Sequence, residues 1–176
     1  LVRWCGVQTR IDRGKAMMTM TSNDPQDTGR PSPHMAIWLG YAGLIPFVIS
    51  AAAVLLFDGD PFVQETAGQA LVTYGAVILS FLGGVRWGRA LGASRKEDQT
   101  RDFILSVLPA IFGWSCLLLP IISGGIFLLI FGYLWQLYVD LKATRNHSLP
   151  QWFGRLRLRL TIGAIIALLV GGVGLL

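Results

Sequence analysis

The sequence predicts an all-α membrane protein: a bundle of five transmembrane helices with the amino terminus inside and the carboxyl terminus outside. Three observations predict this fold, namely the composition, five apolar runs, and the alternating charge of the segments between them. The mean hydropathy is +0.55 and only 14% of the 176 residues are charged, whereas soluble domains carry about 25%. A single small membrane domain is therefore the expected class.

Five apolar runs are candidate spanning helices, which need about 17–25 residues. The third and fourth runs would form one helix about 55 Å long at 1.5 Å per residue, but Pro120 and the pair Gly124–Gly125 interrupt them. Because proline and paired glycines signal turns, we predict a tight hairpin there. Asp60 followed by Pro61 is a good helix start, so the second helix is expected to begin before its apolar run. The runs are residues 36–57, 70–87, 103–119, 124–139 and 160–176.

The segments between these runs alternate in charge. Residues 1–35, 86–102 and 140–159 each contain five Lys or Arg residues, and residues 58–69 and 120–123 contain none. All fifteen basic residues thus fall on one side of the threading, which the positive-inside rule makes cytoplasmic, or the matrix of a mitochondrion. We expect a multi-pass protein of the bacterial inner membrane, with the mitochondrial inner membrane as the alternative. Because the basic residues separate apolar runs, we expect no nucleic-acid partner.

The chain divides into a polar tail and a membrane domain. Residues 1–34 are too polar to build a core and are predicted to be disordered, whereas residues 35–176 form the five-helix domain. The chain begins with Leu1, and three methionines between residues 17 and 20 are candidate starts. Residues 1–16 are therefore interpreted as a start-site artefact, with a mitochondrial transit peptide as the alternative.

Small and polar residues recur at three- and four-residue spacing in the first four runs. Membrane helices approach closely at small residues and hydrogen-bond through polar ones, so these stripes are predicted to be packing faces; alternatively, they line a cavity. They comprise Gly43, Pro46, Ser50 and Ala53; Thr73, Val77, Ser80, Gly84 and Gly88; Ser106, Pro109, Gly113 and Cys116; and Gly125, Leu129, Gly132, Gln136 and Asp140.

Charged residues stand where the runs meet the predicted inner face. Arg86 ends the second run and Asp140 ends the fourth, and partial desolvation would strengthen an ion pair between them. In the alternative, Arg86 reaches lipid phosphate and Asp140 faces water. The segment before the fifth run carries Trp152, Arg155, Arg157 and Arg159. These residues are predicted to contact anionic lipid headgroups; alternatively, their positive charge only sets the membrane orientation of the helix.

The sequence lacks the usual chemistry of a membrane enzyme or an ion-coupled carrier. No Asp, Glu, Lys, Arg or His lies at the centre of a run, where such carriers place their ionisable groups. The hydrolase motifs H-E-x-x-H and G-x-S-x-G are missing, and the two cysteines and two histidines have no metal-ligand spacing. We therefore expect no enzymatic activity, no cofactor and no metal.

The segment from Tyr74 to Gly88, Tyr-Gly-Ala-Val-Ile-Leu-Ser-Phe-Leu-Gly-Gly-Val-Arg-Trp-Gly, resembles the core motif of a membrane-protein family of unknown function. That family has proteobacterial members and includes the mitochondrial transmembrane protein 69. The resemblance covers about residues 36–176 and implies a membrane location and a five-helix fold, but no activity. The residues expected at packing or binding interfaces are Tyr74, Ser80, Gly83, Gly84, Arg86, Trp87, Gly88, Gln136 and Asp140.

Three functions are compatible with these features. The leading hypothesis is a non-enzymatic inner-membrane protein that acts through helix–helix or lipid contacts in an assembly or accessory role. Its partners would be anionic lipids at the inner face and another membrane protein or a second copy. The alternatives are a small oligomeric transporter or channel for an uncharged or anionic solute, and a lipid-modifying enzyme that uses Arg86, Arg89, Asp98 and Asp140.

Overall fold

The computed structural model describes residues 33–92, 96–146 and 149–175. Those residues form six α-helices and no strand, so the all-helical prediction is confirmed. The predicted tail up to residue 32 and its candidate start sites lie outside the described residues. The helices are α1 (Pro33–Ala42), α2 (Ile45–Leu56), α3 (Pro61–Leu91), α4 (Lys96–Leu117), α5 (Ile122–Arg145) and α6 (Gln151–Gly174).

The first predicted run is two helices instead of one, because the chain turns between α1 and α2. The amide of Leu44 donates to the carbonyl of Tyr41 at 3.0 Å, which closes a turn tighter than an α-helix. Pro46 follows in the first turn of α2, where its missing N–H leaves no helical bond unmade. A helix therefore restarts at Ile45.

The predicted start of α3 is confirmed. One carboxylate oxygen of Asp60 accepts hydrogen bonds from the amides of Phe62 at 3.1 Å and Val63 at 3.3 Å. This cap satisfies two of the donors that a helix start leaves free. From there α3 runs for 31 residues, so it extends beyond both ends of its apolar run.

Four segments of the described chain are long and apolar enough to cross a membrane: His34–Leu56, α3, α5 and α6. The remaining helix, α4, carries charged residues in its first two turns, and its apolar part covers only residues 103–117. The hairpin predicted between the third and fourth runs is confirmed, because α4 ends at Leu117 and α5 begins at Ile122.

The core lies where α3 crosses α2, α5 and α6. Its most buried side chains include Phe47, Leu71, Leu129 and Leu168. Tyr133 also lies inside it and donates its hydroxyl to the carbonyl of Gly75 at 2.9 Å. The phenol is thereby satisfied, as a buried polar group must be.

The helices α3 and α4 are antiparallel, and their backbones nearly touch. A Cβ atom at Gly113 would lie 2.8 Å from the carbonyl oxygen of Ala76, and one at Gly83 would collide with the carbonyl oxygen of Ser106. Only glycine permits such an approach. The two contacts fix α4 along the length of α3.

The predicted stripes on α4 and α5 are buried, which confirms those two packing faces. The packing face predicted for α3 is wrong, because Thr73, Val77, Gly84 and Gly88 are exposed. The packing face of α3 carries large apolar side chains and other glycines instead, and that combination buries more apolar area than small polar residues do. The stripe on α2 is displaced by one residue for the same reason. The buried residues are Gly68, Leu71, Val72, Gly75, Ala76, Leu79, Leu82 and Gly83 on α3 and Phe47, Ala51 and Val54 on α2.

The helix ends gather into two groups that differ in charge. At one end, Gln64 of α3 donates to the carbonyl of Gly174 in α6 at 2.7 Å, and the nearby acidic residues are Asp58, Asp60 and Glu65. The other end holds the end of α3, the start of α4, the end of α5 and the start of α6. We call it the basic end, because the arginine and lysine side chains of the described residues all lie there: Arg86, Arg89, Arg101, Lys142, Arg145, Arg155, Arg157 and Arg159.

Candidate functional site

A cavity of about 1200 Å³ lies between α4 and α5, with α3 as its floor. Its apolar walls include Leu105, Leu108, Ile111, Phe131 and Trp135. Ile111 and Trp135 are each 55% exposed, so the cavity is a groove that opens on the side of the bundle. We call it the α4–α5 groove.

The groove exists because α4 and α5 diverge from their hairpin. Near the hairpin they are close, since a Cβ at Gly125 would lie 3.0 Å from the carbonyl oxygen of Cys116. Toward the basic end α4 follows α3, whereas α5 follows α6, where a Cβ at Gly154 would lie 2.9 Å from the hydroxyl of Thr144. The space between the two pairs of helices is left open.

The groove becomes charged where it reaches the basic end. Four cations line it there and one acid, Asp102. Arg89 donates from Nε to Oδ2 of Asp102 at 3.0 Å and from Nη2 to Oδ1 at 2.7 Å. This two-point pairing is the strong geometry for arginine and a carboxylate, so Asp102 is fully engaged. The four cations are Arg86, Arg89, Arg101 and Lys142.

Arg86 is nearly buried but weakly paired. Its Nη1 lies 3.7 Å from Oδ1 of Asp102, and its side chain is 11% exposed. That distance is too long for a hydrogen bond, and it is the one ion pair of Arg86 among the described residues. Arg86 therefore presents N–H donors to the groove.

A second polar cluster lies beside the groove, inside the bundle. Asp140 accepts from Nε of Arg157 at 2.7 Å and from Nε2 of Gln136 at 3.1 Å. The carboxylate and guanidinium side chains are each 6% exposed. Gln136 also lines the groove, so its amide joins the buried ion pair to the groove wall. In the part of the chain that the structure describes, Nη2 of Arg157 and the hydroxyl of Thr161 are buried without a hydrogen-bond partner.

The predicted pair of Arg86 with Asp140 is wrong, and so is its alternative of a water-facing Asp140. Asp140 is buried against Arg157 and Arg86 lies beside Asp102. The sequence hid the true partner because the fifth apolar run begins only at residue 160. Since α6 begins at Gln151, Arg157 lies inside a helix and faces α5.

The prediction of a headgroup-binding cluster at the start of α6 needs one correction. Arg157 is buried in its ion pair, so it does not face the surface. Arg155, Arg159 and Trp152 are exposed on that helix. For these three residues headgroup contact stays a prediction.

Two polar members of the Tyr74–Gly88 motif make local contacts. Tyr74 is half-buried and donates its hydroxyl to the carbonyl of Gly43 at 3.0 Å, which ties α3 to the turn between α1 and α2. Ser80 donates to the carbonyl of Ala76 in its own helix at 2.8 Å. The first contact joins helices, whereas the second stays within α3.

The other members of the motif divide between two faces of α3. Gly83 lies against α4, and the ring of Trp87 meets that of Phe103 edge-on with centroids 4.8 Å apart. Gly84 and Gly88 are exposed, and a Cβ at either would meet nothing within 4 Å. They do not pack against the described helices of this chain, which corrects the packing prediction for both.

The alternative that the stripes line a cavity is met in part, because Pro109, Gly132 and Gln136 line the groove. The sequence did not predict its charged end, which is formed by Arg86, Arg89, Arg101, Asp102 and Lys142. A signal for one contact was present, since Arg89 lies near the end of α3 and Asp102 near the start of α4, and an antiparallel arrangement brings those two helix ends together. Asp98, named for the enzyme alternative, has a side chain outside the described set. Among the described residues, no three His, Cys, Asp or Glu side chains are placed to hold a metal ion.

Apolar helices of spanning length, with charged residues gathered at their ends, define a multi-pass helical membrane protein. The chain belongs to the family described as "Protein of unknown function (DUF3429)", which it matches over residues 32–173. This finding confirms the resemblance seen in the Tyr74–Gly88 motif.

Two relatives share this membrane domain. The chain is 38% identical to Transmembrane protein 69 of Xenopus tropicalis over 141 residues, which is 79% of this chain and 54% of that protein. It is 33% identical to Transmembrane protein 69 of Mus musculus over 142 residues, which is 79% of this chain and 56% of that protein. The chain thus spans about half the length of these relatives. No solved structure matches it with a significant score.

Proposed function

We propose that this chain is a non-enzymatic protein of the inner membrane, bacterial or mitochondrial, that holds a membrane molecule in the α4–α5 groove in an accessory or assembly role. The observation that carries the proposal is the groove itself. It is apolar along most of its length, basic at one end, and open at the side of the bundle where lipid and other membrane proteins lie.

We also propose that the chain crosses the membrane five times, with α1 and α2 together as the first crossing and α4 as the third. The apolar part of α4 is short, but α4 lies antiparallel along α3 from Gly83 to Ala76. The positive-inside rule places the basic end in the cytoplasm or matrix. The amino terminus then lies inside and the carboxyl terminus outside.

The charges near the groove favour binding over catalysis. Asp102 and Asp140, the carboxylates described there, are each held by an arginine, and a carboxylate in such a pair is a poor general base. Arginine keeps its proton at all physiological pH values, so Arg86 and Arg89 are suited to bind an anion and not to transfer a proton.

Native mass spectrometry of the protein, extracted in a mild detergent from its own membrane, tests the proposal. We expect a stoichiometric lipid or foreign subunit to remain bound. Leu108→Trp fills the groove and should remove the bound molecule. Leu169→Trp on α6 is the matched control and should leave it bound, since the two leucines are 46% and 47% exposed. A bare protein that conducts a solute across liposomes would contradict the proposal and favour the transporter alternative.

A further inference from the structure

We infer that the occupant of the α4–α5 groove is an anionic phospholipid, with an acyl chain along the apolar walls and its phosphate at Arg86. The inference rests on the proposed function, because it names the molecule that the groove holds. Three features of the groove carry it: surplus positive charge, an under-paired guanidinium, and bulky apolar walls.

The first feature is the charge balance. Four cations line the basic end of the groove against one carboxylate, Asp102, and Arg89 occupies both oxygens of that carboxylate. Three positive charges therefore remain uncompensated among the lining residues. An occupant with negative charge at this end, and only at this end, complements the groove.

The second feature is the state of Arg86. A guanidinium has five N–H donors, yet the ion-pair contact of Arg86 within the described ranges is the single one of 3.7 Å. None of those donors is among the buried, unpartnered side-chain atoms of the described residues, so they reach the open space of the groove that Arg86 lines, where a ligand oxygen can accept from them. Arginine binds phosphate oxygens, as it binds carboxylate oxygens, through strong charge-assisted and often two-point hydrogen bonds.

The third feature is the wall of the groove, which favours a lipid over a protein helix. Membrane helices associate where small residues let their backbones approach. Here the walls carry Leu105, Leu108, Ile111 and Trp135, and the glycine in the α5 wall, Gly132, is covered by the ring of Phe112. A flexible acyl chain fits between such side chains, whereas a helix backbone is held away from them.

The position of the cations agrees with this occupant. In the proposed threading the basic end faces the cytoplasm or matrix, and anionic headgroups at that surface attract lysine and arginine. A phospholipid can enter from the side of the bundle, because Ile111 and Trp135 stand at an open rim. Its phosphate would then reach the basic end of the groove while its acyl chain lies along the apolar walls.

The test is native mass spectrometry of delipidated protein titrated with phosphatidylglycerol or with phosphatidylcholine of the same acyl chains. We expect one phosphatidylglycerol retained at concentrations where phosphatidylcholine is lost. Arg86→Gln and Lys142→Gln should each weaken retention about tenfold, the effect of one charge-assisted bond. Arg145→Gln, which removes an exposed cation of α5 that does not line the groove, should leave retention unchanged. Inorganic phosphate should not compete, because it lacks the chain.

Equal retention of the two lipids, or an equal effect of Arg145→Gln and Arg86→Gln, would overturn the inference. Lys142→Gln keeps the test decisive if Arg86→Gln does not fold, because Lys142 is exposed and the described core does not depend on it. If a foreign subunit occupies the groove and Leu108→Trp expels it, the lipid inference fails while the proposed function stands. If the groove is empty and solute crosses liposomes, both fail.

Discussion

Asp140 and Arg157 show how this chain keeps full charges inside an apolar bundle. Their 2.7 Å bond and the amide of Gln136 give partners to two charges whose side chains are each only 6% exposed. Removing one member of such a pair leaves the other charge buried alone, which is far more costly than replacing both by apolar residues. At this scale the pair joins α5 to α6 through two side chains.

The pair predicts an asymmetry between single and double substitutions. Asp140→Ala should lower stability by about 3–5 kcal/mol, because Arg157 is left uncompensated. Asp140→Leu combined with Arg157→Met should cost less than the single change. Thermal melting in detergent compares the variants, with Arg155→Ala as the exposed control. Equal melting temperatures for the single and double variants would argue against the pair.

At the scale of helices, the close contact of α3 with α4 determines where the groove opens. Gly83 and Gly113 remove the Cβ atoms that would hold the backbones apart. Held against α3, α4 cannot follow α5 beyond the hairpin, so the space between α4 and α5 stays open. The groove therefore depends on glycines that do not line it.

Two adjacent glycines provide a matched test of that contact. Gly83→Ala should destabilise the protein by several degrees in Tm, because its Cβ meets the backbone of Ser106. Gly84→Ala should be neutral or raise stability by about 1 kcal/mol, since its side chain meets open space and alanine favours helix. Melting in the same detergent measures both. If Gly84→Ala were the more harmful change, α3 would present a different face to α4.

The sequence was informative about helices and less so about which side of each helix packs. The Asp60 cap, the hairpin at Pro120 and the buried faces of α4 and α5 follow from local patterns. The face of α3 does not, because small residues occur all around that helix and only its neighbours decide which of them are buried. Arg157 was placed outside the bundle for a similar reason: its helix begins nine residues before its apolar run.

At the scale of the whole molecule, the segregation of charge is the main signal of orientation. The described lysines and arginines of α3 to α6 lie at one end and Asp58, Asp60 and Glu65 at the other. This separation could be predicted from the sequence, because it needs only the order of the runs. The groove could not, because it arises from how two helix pairs diverge in space.

The proposed orientation predicts opposite labelling at the two ends. In a background lacking both native cysteines, Gly59→Cys should react with a membrane-impermeant maleimide added outside, because the loop before α3 is exposed there. Asn146→Cys, exposed after α5 at the basic end, should react only after the membrane is opened. The reverse labelling pattern would show that the chain has the opposite membrane orientation.

The most direct test of the central claim, that the α4–α5 groove holds a particular membrane molecule, is photo-crosslinking in the native membrane. A benzophenone amino acid is placed at Ile111 in the groove or at Ile166 on α6, two positions that are each 55% exposed. We predict one adduct of discrete, lipid-sized mass from Ile111 and a diffuse mixture from Ile166. Indistinguishable adducts from the two positions would contradict the account.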